Sequence, residues 1–446
     1  MRVSVPPHEL DRTWKEAFSR AIQELPASDP LAQLFFEERE DLRVDLEDGS
    51  VREIVRTRTC GLSARSGSRL VYLSSPEPED ASRLVQALTA ARPELSSAGC
   101  PNKDPLPEEG FAPESVATLR MLSERAVRGN PIRVLASWVG FRQRVLIGRP
   151  ELGVFSDLRS GNRIRLEVRI ELRGRRAIAV SERALRSREE TALDDLADGT
   201  VRRAEERLAA RPPTSGETAV VFAPGVGGIL LHEIVGHALE ADTILARSSA
   251  LAGRTAVVAP RDVVVLDDPR RGRASWRIDD EGQEARATPL VQEGRADGWI
   301  SDLRSAGRSG RPPTGHGRRS SFHQPVLPRM GCTFLAPGFL EPGEVMEGTS
   351  SGILVRRMEA AAIDPAAGIA FFRVTDSDRI RDSHVDVPLE PFLLRVVTER
   401  ALGSLDRIAN DLAFDTCIGS CVRDGQPLAT SVGAPTCRIG LAAVVA

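Results

Sequence analysis

The sequence predicts an α+β protein: an N-terminal α/β unit with mostly antiparallel strands, then a β-rich C-terminal unit that carries one unusual helix. Three observations lead there. Asp41–Gly61 alternates apolar and polar residues around Asp48-Gly49, the signal of a two-residue hairpin. Near the middle of the 446 residues, Ala210–Gly216 (ARPPTSG) reads as a linker. Beyond it, short apolar runs alternate with many glycines and prolines, as in a β-rich domain. At roughly 100–200 residues per domain, the expected division is 1–212 and 213–446.

The elements follow in order. Residues 8–25 (HELDRTWKEAFSRAIQEL) space apolar positions at helical intervals. After the hairpin, Leu70–Ser74 (LVYLS) is a strand. Pro76–Arg92 opens on acidic residues and continues apolar at i, i+3, i+4, which predicts a helix. Residues 93–115 are rich in Pro, Gly, Ser and Glu and read as a loop. A helix is expected near 114–128, strands near 131–147, 151–158, 162–172 and 175–182, and a polar helix at about 187–210. Past the linker, Thr218–Phe222 (TAVVF) is a short buried strand, Ala223–Gly228 (APGVGG) a tight turn and Ile229–Ala241 a helix. Arg304–Ser321 reads as a flexible, basic, Gly-rich loop.

Composition removes several function classes. Net charge is −3, and 4% of residues are aromatic with one tyrosine, which disfavours nucleic acid as a partner. No run approaches ~18 apolar residues, so no membrane-spanning helix is expected. Of the 60 basic residues only Lys15 and Lys103 are lysines, and neither lies in a Gly-Lys-Ser/Thr phosphate loop. Six cysteines without a signal-peptide-like N-terminus do not suggest a disulfide framework. The expectation is a cytoplasmic protein with reduced thiols.

The sharpest feature is Leu231–Glu240, LHEIVGHALE. Two of the chain's six histidines and a glutamate sit in an otherwise apolar helix. A zinc hydrolase needs neutral imidazole ligands, an open position for water and a carboxylate that accepts the water's proton. In the HExxH arrangement the histidines lie one turn apart. Here His232 and His237 are at i and i+5, and on an ideal helix five residues rotate by about 140°. The rings would diverge unless a π-type turn, closing i to i+5, returned them to one side. Gly236 would make that distortion cheaper. The plain alternative is two polar residues on a partly exposed helix.

SGETAVVFAPGVGGILLHEIVGHALEAD (Ser215–Asp242), IDDEG (Ile278–Gly282), PTGHGRR (Pro313–Arg319), PRMGCTFLAPG (Pro328–Gly338) and ANDLAFDTCIGSCVRDGQPLATSVGAPTCRI (Ala409–Ile439) occur in that order. In these blocks, over nearly its whole length, the sequence resembles the TldD/PmbA family of metallopeptidases. The resemblance implies that His232 and His237 bind a metal, usually zinc although another divalent metal such as iron would suit. It implies that Glu233 is the catalytic base and that Cys421, in CVRDGQ, is the third ligand. Two imidazoles and one thiolate leave a fourth position for water, the pattern of a catalytic site. The family also implies an extended or unfolded peptide substrate and a dimer, with a second copy or with a motif-lacking paralogue. Two other readings stand beside this one. The chain could be a non-catalytic pairing or scaffold subunit, or a dedicated protease that matures a peptide natural product.

Several residues remain open at this level. Cys417 lies four residues before Cys421, as a competing ligand or as a small buried hydrophobe. Cys332 and Cys437 read as packing residues. One of Asp279, Asp280 and Glu281 could orient a ligand histidine, and Asp242 is read in the same way. Arg304, Arg308, Arg311, Arg318 and Arg319 read as a solvated loop or as forks for a peptide carboxylate. His316 and His323 read as surface or substrate-facing. Gly348–Asp386 follows the family pattern loosely.

Overall fold

Asp48 and Gly49 both take positive φ, 49° and 78°, the conformation of a two-residue turn whose twist matches its flanking strands. They join β1 (Gln33–Glu47) to β2 (Ser50–Ser66) in antiparallel register. In this computed structural model, which describes residues 7–75, 77–89, 112–128, 133–184, 193–253, 257–272, 274–414 and 419–445, the hairpin sits inside a six-stranded sheet. The other strands are β3 (Arg69–Leu73), β4 (Arg133–Arg149), β5 (Gly153–Leu172) and β6 (Arg175–Ala184). The order is β3-β2-β1-β4-β5-β6, antiparallel throughout.

Side chains of one parity along β1 face the helices. Leu34 and Phe36 pack under α1 (Pro7–Ala21) and α2 (Asp80–Thr89) with Trp14, Phe18 and Leu84. Leu42 and Val44 pack under α3 (Ala112–Val127) and α4 (Leu193–Arg207) with Leu119, Leu122 and Leu196. The two strands expected near 151–158 and 162–172 are one: Ser160-Gly161-Asn162 makes no turn, because the ladder to β4 runs through it with Phe141 opposite Gly161. The loop expected over 93–115 lies outside the described residues as far as 111, and residues 112–115 open α3. Part of the Pro76–Arg92 helix and residues 187–192 of the polar helix also lie outside the described residues.

The C-terminal half continues with β7 (Gly216–Phe222), α5 (Gly227–Leu231), α6 (Ala241–Leu245), β8 (Val265–Asp267), β9 (Thr288–Val291) and α7 (Leu303–Ser309). Next come β10 (Gly317–Arg318), β11 (Leu327–Pro328), β12 (Cys332–Leu335), α8 (Pro342–Glu347), β13 (Ser351–Asp364), β14 (Ile369–Arg381) and β15 (His384–Pro388). The last are β16 (Phe392–Val397), α9 (Thr398–Gly403), β17 (Leu405–Ile408), β18 (Ala413–Phe414), β19 (Gly419–Arg423), β20 (Gln426–Ala434) and β21 (Cys437–Val445). Strands β7, β21, β16, β14 and β13 pair in a closed ring, since β13 bonds to both β7 and β14. Closure leaves the ring without an exposed edge. A second sheet runs β18-β20-β12-β8-β9, with β19 paired to β20. The half is β-rich as expected, although β13 and β14, of 14 and 13 residues, are longer than the short pieces predicted.

The open face of the N-terminal sheet docks on the C-terminal half through a buried ionic cluster. Arg159 Nη1 donates to Asp280 Oδ1 at 2.6 Å, Arg65 Nη1 to Glu281 Oε1 at 2.9 Å and the Phe322 N–H to Glu37 Oε2 at 2.8 Å. Phe322 packs with Phe35, Val145 and Ile147, and a Cβ on Gly61 would meet its ring at 2.5 Å. The segment Arg304–Ser321 is therefore not the expected solvated loop. Its first half is α7, opened by an Asp302–Ser305 capping box, and Arg318, Arg319 and His316 at its far end are buried. Arg304, Arg308 and Arg311 remain exposed.

Candidate metal centre

Strand β7 ends in Ala223-Pro224-Gly225, a turn pinned by the Gly225 N–H to Ala434 O at 2.8 Å. The helix starts at Gly227, earlier than predicted, and is not continuous to Ala241. One α turn, α5, passes into a π turn at His232–Gly236 and a 3-10 turn at His237–Leu239. The His237 N–H bonds to His232 O, the i to i+5 closure that the histidine spacing requires. Both rings consequently point to one side, with centroids 5.1 Å apart and planes at 84°. Gly236 permits the tight seat of this turn: a Cβ there would lie 1.9 Å from Met330 Sδ. At Glu240 the backbone becomes extended, φ −76° and ψ 131°. Ile300 pairs with both neighbours, donating to Leu239 O at 3.0 Å and accepting from the Ala241 N–H at 2.9 Å.

Cys421 reaches the histidines from the far end of the chain. It lies on β19, opposite Leu428 of β20, in a hairpin turned by Asp424 and Gly425 at φ 47° and 74°. Strand β20 carries Gly433 directly beneath Gly228 of α5, so the hairpin and the helix are in backbone contact. Ligand-type atoms of His232, His237 and Cys421 all lie within 4.8 Å of one another, and Cys421 Sγ is 3.4 Å from His237 Nε2. Glu233 Oε2 is 3.8 Å from the same nitrogen.

The electrostatics suit a cation. Burial pushes the Cys421 thiol up, but hydrogen bonds from His232 and His237 outweigh it and bring the thiol down to about 5. Burial disfavours a charged His237, yet Glu240 and Cys421 raise it well above the usual imidazole range; His232 is raised against its own burial by Cys421. A buried thiolate is thus balanced by imidazole protons, which a divalent cation would replace. A tetrahedral site with bonds of ~2.0–2.3 Å separates its ligand atoms by ~3.3–3.6 Å, and the sulfur–nitrogen distance of 3.4 Å lies in that range. Two imidazoles and a thiolate therefore fit zinc or a similar metal, with one position left open.

Other residues depart from expectation. Asp279, Asp280 and Glu281 are fully buried, but elsewhere: Asp280 takes Arg159 and Arg318, Glu281 takes Arg65, and Asp279 accepts the backbone N–H groups of Glu281, Gln283 and Gly317. The carboxylate at a histidine is instead Glu240, whose Oε2 is 3.3 Å from His237 Nδ1. Asp242 reaches the site only through Arg423, which donates to it at 2.8 Å. Glu240 and Arg423 were missed by sequence reasoning, although the i, i+3 spacing from His237 and the i, i+2 spacing from Cys421 were signals. His316 is not at the surface: fully buried, it bonds Asp267 Oδ1 through Nε2 at 3.0 Å. His323 is exposed and rests on Phe322 and Tyr72. Cys332 and Cys437 are buried and in no disulfide among the described residues. Cys417 lies outside the described residues.

The cluster separates two cavities. One, of about 570 Å³, is lined by His232, Glu233, Arg356 and Phe414, with Arg163 and Arg165 of β5 across from them. The other, of about 420 Å³, is bordered by His237, Glu240, Arg423 and Pro365.

Comparisons with known proteins agree with this architecture. Residues 215–445 match the family described as the PmbA/TldA metallopeptidase C-terminal domain. A protein of Methanothermobacter thermautotrophicus named a metalloprotease is 33% identical over 249 residues, 55% of this chain and 54% of its own, so the match spans about half of that relative. A metalloprotease TldD homolog of Buchnera aphidicola is 25% identical over 350 residues, 75% of this chain and 72% of its own. The crystal structure of TldE from Thermococcus kodakarensis superimposes with a TM-score of 0.73 at 15% identity, covering 98% of this chain and 99% of that one. With the matched model extending over half of the sequence, the chain belongs to the TldD/PmbA family of metallopeptidases.

Proposed function

We propose that the chain is a metal-dependent peptidase acting on small or unfolded peptides, with His232, His237 and Cys421 as ligands of a zinc ion and Glu233 as the general base. The observation that carries this reading is the convergence of two imidazoles and a thiolate within 4.8 Å, beside a carboxylate 3.8 Å from one of the rings. Bound there, zinc would supply Lewis acidity toward a peptide carbonyl and acidify a water. Glu233 would take the proton of the attacking water and return it to the departing amine. It borders the larger cavity, where a substrate would lie between β5 and β13. The arginines there suit backbone carbonyls or a carboxylate.

In this reading residues 1–212 supply one wall of the cleft and residues 213–446 supply the chemistry. The working form would be a dimer, with a second copy or with a motif-lacking paralogue. None of the four described cysteines is in a disulfide.

The test combines metal analysis with amine release from a mixed peptide pool. Purified protein is expected to hold one zinc per chain and to cleave. Glu233→Gln should keep the metal and lose ~10²–10⁴-fold in rate, the usual worth of a general base. Cleavage by Glu233→Gln at the wild-type rate would remove Glu233 from the mechanism.

A further inference from the structure

We propose that Glu240 is a positioning residue for the metal centre, holding His237 in the tautomer that leaves Nε2 bare, and that Arg423 holds Glu240 in turn. The inference rests on the metal-site reading above. Glu240 Oε2 lies 3.3 Å from His237 Nδ1, on the side of the ring away from Cys421. A carboxylate oxygen accepting at Nδ1 places the proton there, so with a metal bound Nε2 would present its lone pair. The same Oε2 accepts from Arg423 Nη1. Arg423 Nη2 donates to Asp242 Oδ2 at 2.8 Å and to Thr243 Oγ1 at 3.2 Å.

The fold builds this link deliberately in two places. The helix breaks at Glu240, where Ile300 captures the flanking backbone, and the Glu240 side chain ends buried, 1% exposed. Arg423 stands two residues after Cys421 on β19, so one short strand presents the third ligand and the cation that steadies the second ligand's partner. His232 has nothing comparable: its Nδ1 is buried with no hydrogen-bond partner among the described residues. Apart from its contact with Cys421, its ring is held by packing, whereas that of His237 is also held by a carboxylate at Nδ1. Carboxylate partners of this kind raise ligand basicity, and their removal typically costs ~10–100-fold in metal affinity.

The experiment measures Zn²⁺ dissociation by competition with a chromophoric chelator, the Co²⁺ absorption bands, and the unfolding temperature of the metal-free full-length chain. Glu240→Gln should bind Zn²⁺ ~10–100-fold more weakly, shift the Co²⁺ bands and leave the metal-free unfolding temperature near wild type. Wild-type Zn²⁺ affinity with unshifted Co²⁺ bands in Glu240→Gln would overturn the inference, as would a lowered unfolding temperature with affinity intact, which marks a purely structural role. Should Glu240→Gln not fold, Arg423→Lys replaces it. That variant keeps the charge but loses the fork, so weaker Zn²⁺ binding is expected and wild-type affinity overturns the proposal. Wild-type protein that binds neither ion sinks the metal-site reading itself, a result distinct from a normal site that is indifferent to Glu240.

Discussion

Replacing Gly228 by alanine tests how closely the helix and the Cys421 hairpin must approach. A Cβ at this position would lie 2.5 Å from Gly433 N, 2.8 Å from its O and 2.9 Å from its C. These are backbone atoms of a strand paired on both sides at Gly433, to β18 and to β12, so they cannot swing aside as a side chain would. Bringing the nearest contact out to 3.4 Å requires about 0.9 Å of separation between α5 and β20. His232 lies one turn along from Gly228 and moves with α5, while Cys421 moves with β20. The 3.4 Å between Cys421 Sγ and His237 Nε2 therefore widens toward ~4 Å, outside the ~0.2 Å tolerance of metal–ligand distances. Overpacking of this kind costs ~1–3 kcal/mol of stability, and a ~1 Å misplacement can cost ~10²-fold in rate. Gly228→Ala should thus fold, unfold at a lower temperature, lose zinc during gel filtration against a chelator and cleave peptides ~10²-fold more slowly. The control is Gly199→Ala in α4, where an added Cβ meets nothing within 4 Å. Within a helix it should stabilise by up to ~1 kcal/mol and leave zinc and rate unchanged. Wild-type zinc content and rate in Gly228→Ala would refute the idea that this backbone contact sets the ligand geometry.

Two further predictions concern the thiols and the buried ionic cluster. Cys421→Ser should lose zinc and activity while Cys417→Ser changes little, checked by metal analysis; the reverse pattern would reassign the third ligand. Burial pushes the Asp280 carboxyl up, but Arg159, Arg318 and Arg319 outweigh it and hold it at about 2. An unfolded aspartate titrates near ~3.9. A depressed folded pKa gives stability that is present above the unfolded value and lost as pH falls toward the folded one. Thermal unfolding should therefore show ~2 kcal/mol of stability draining away between about pH 4 and pH 2. Asp280→Asn should flatten that acid limb and, by leaving buried arginine charge uncompensated, cost ~3–5 kcal/mol near neutrality. An unchanged acid limb in the variant would show that Asp280 does not govern it.

The sequence by itself determined what depends on local rules. Asp48-Gly49 announces its hairpin because few residue pairs tolerate two positive φ angles in succession. The i, i+5 histidines imply a π turn if their rings are to meet, since helical geometry leaves few other ways to align them. The ordered blocks from Ser215 to Ile439 disclosed the family. Tertiary structure alone decided what those local features meet. The sequence reads as two strands, near 151–158 and 162–172, yet the long partner strand β4 carries β5 straight through the break. Arg318, Arg319 and His316 read as solvated because charged residues usually are; only the folded chain supplies the carboxylates that let them be buried. Asp279–Glu281 and Glu240 are equally acidic in sequence. Asp280 and Glu281 of the first group face arginines across the contact between the two halves, and Glu240 faces a histidine. Cys421 and His237, 184 residues apart in the chain, stand 3.4 Å apart because Gly228 and Gly433 let a helix and a strand touch backbone to backbone. No local pattern encodes that contact, since it depends on two glycines that each look like ordinary turn residues until the fold brings them together.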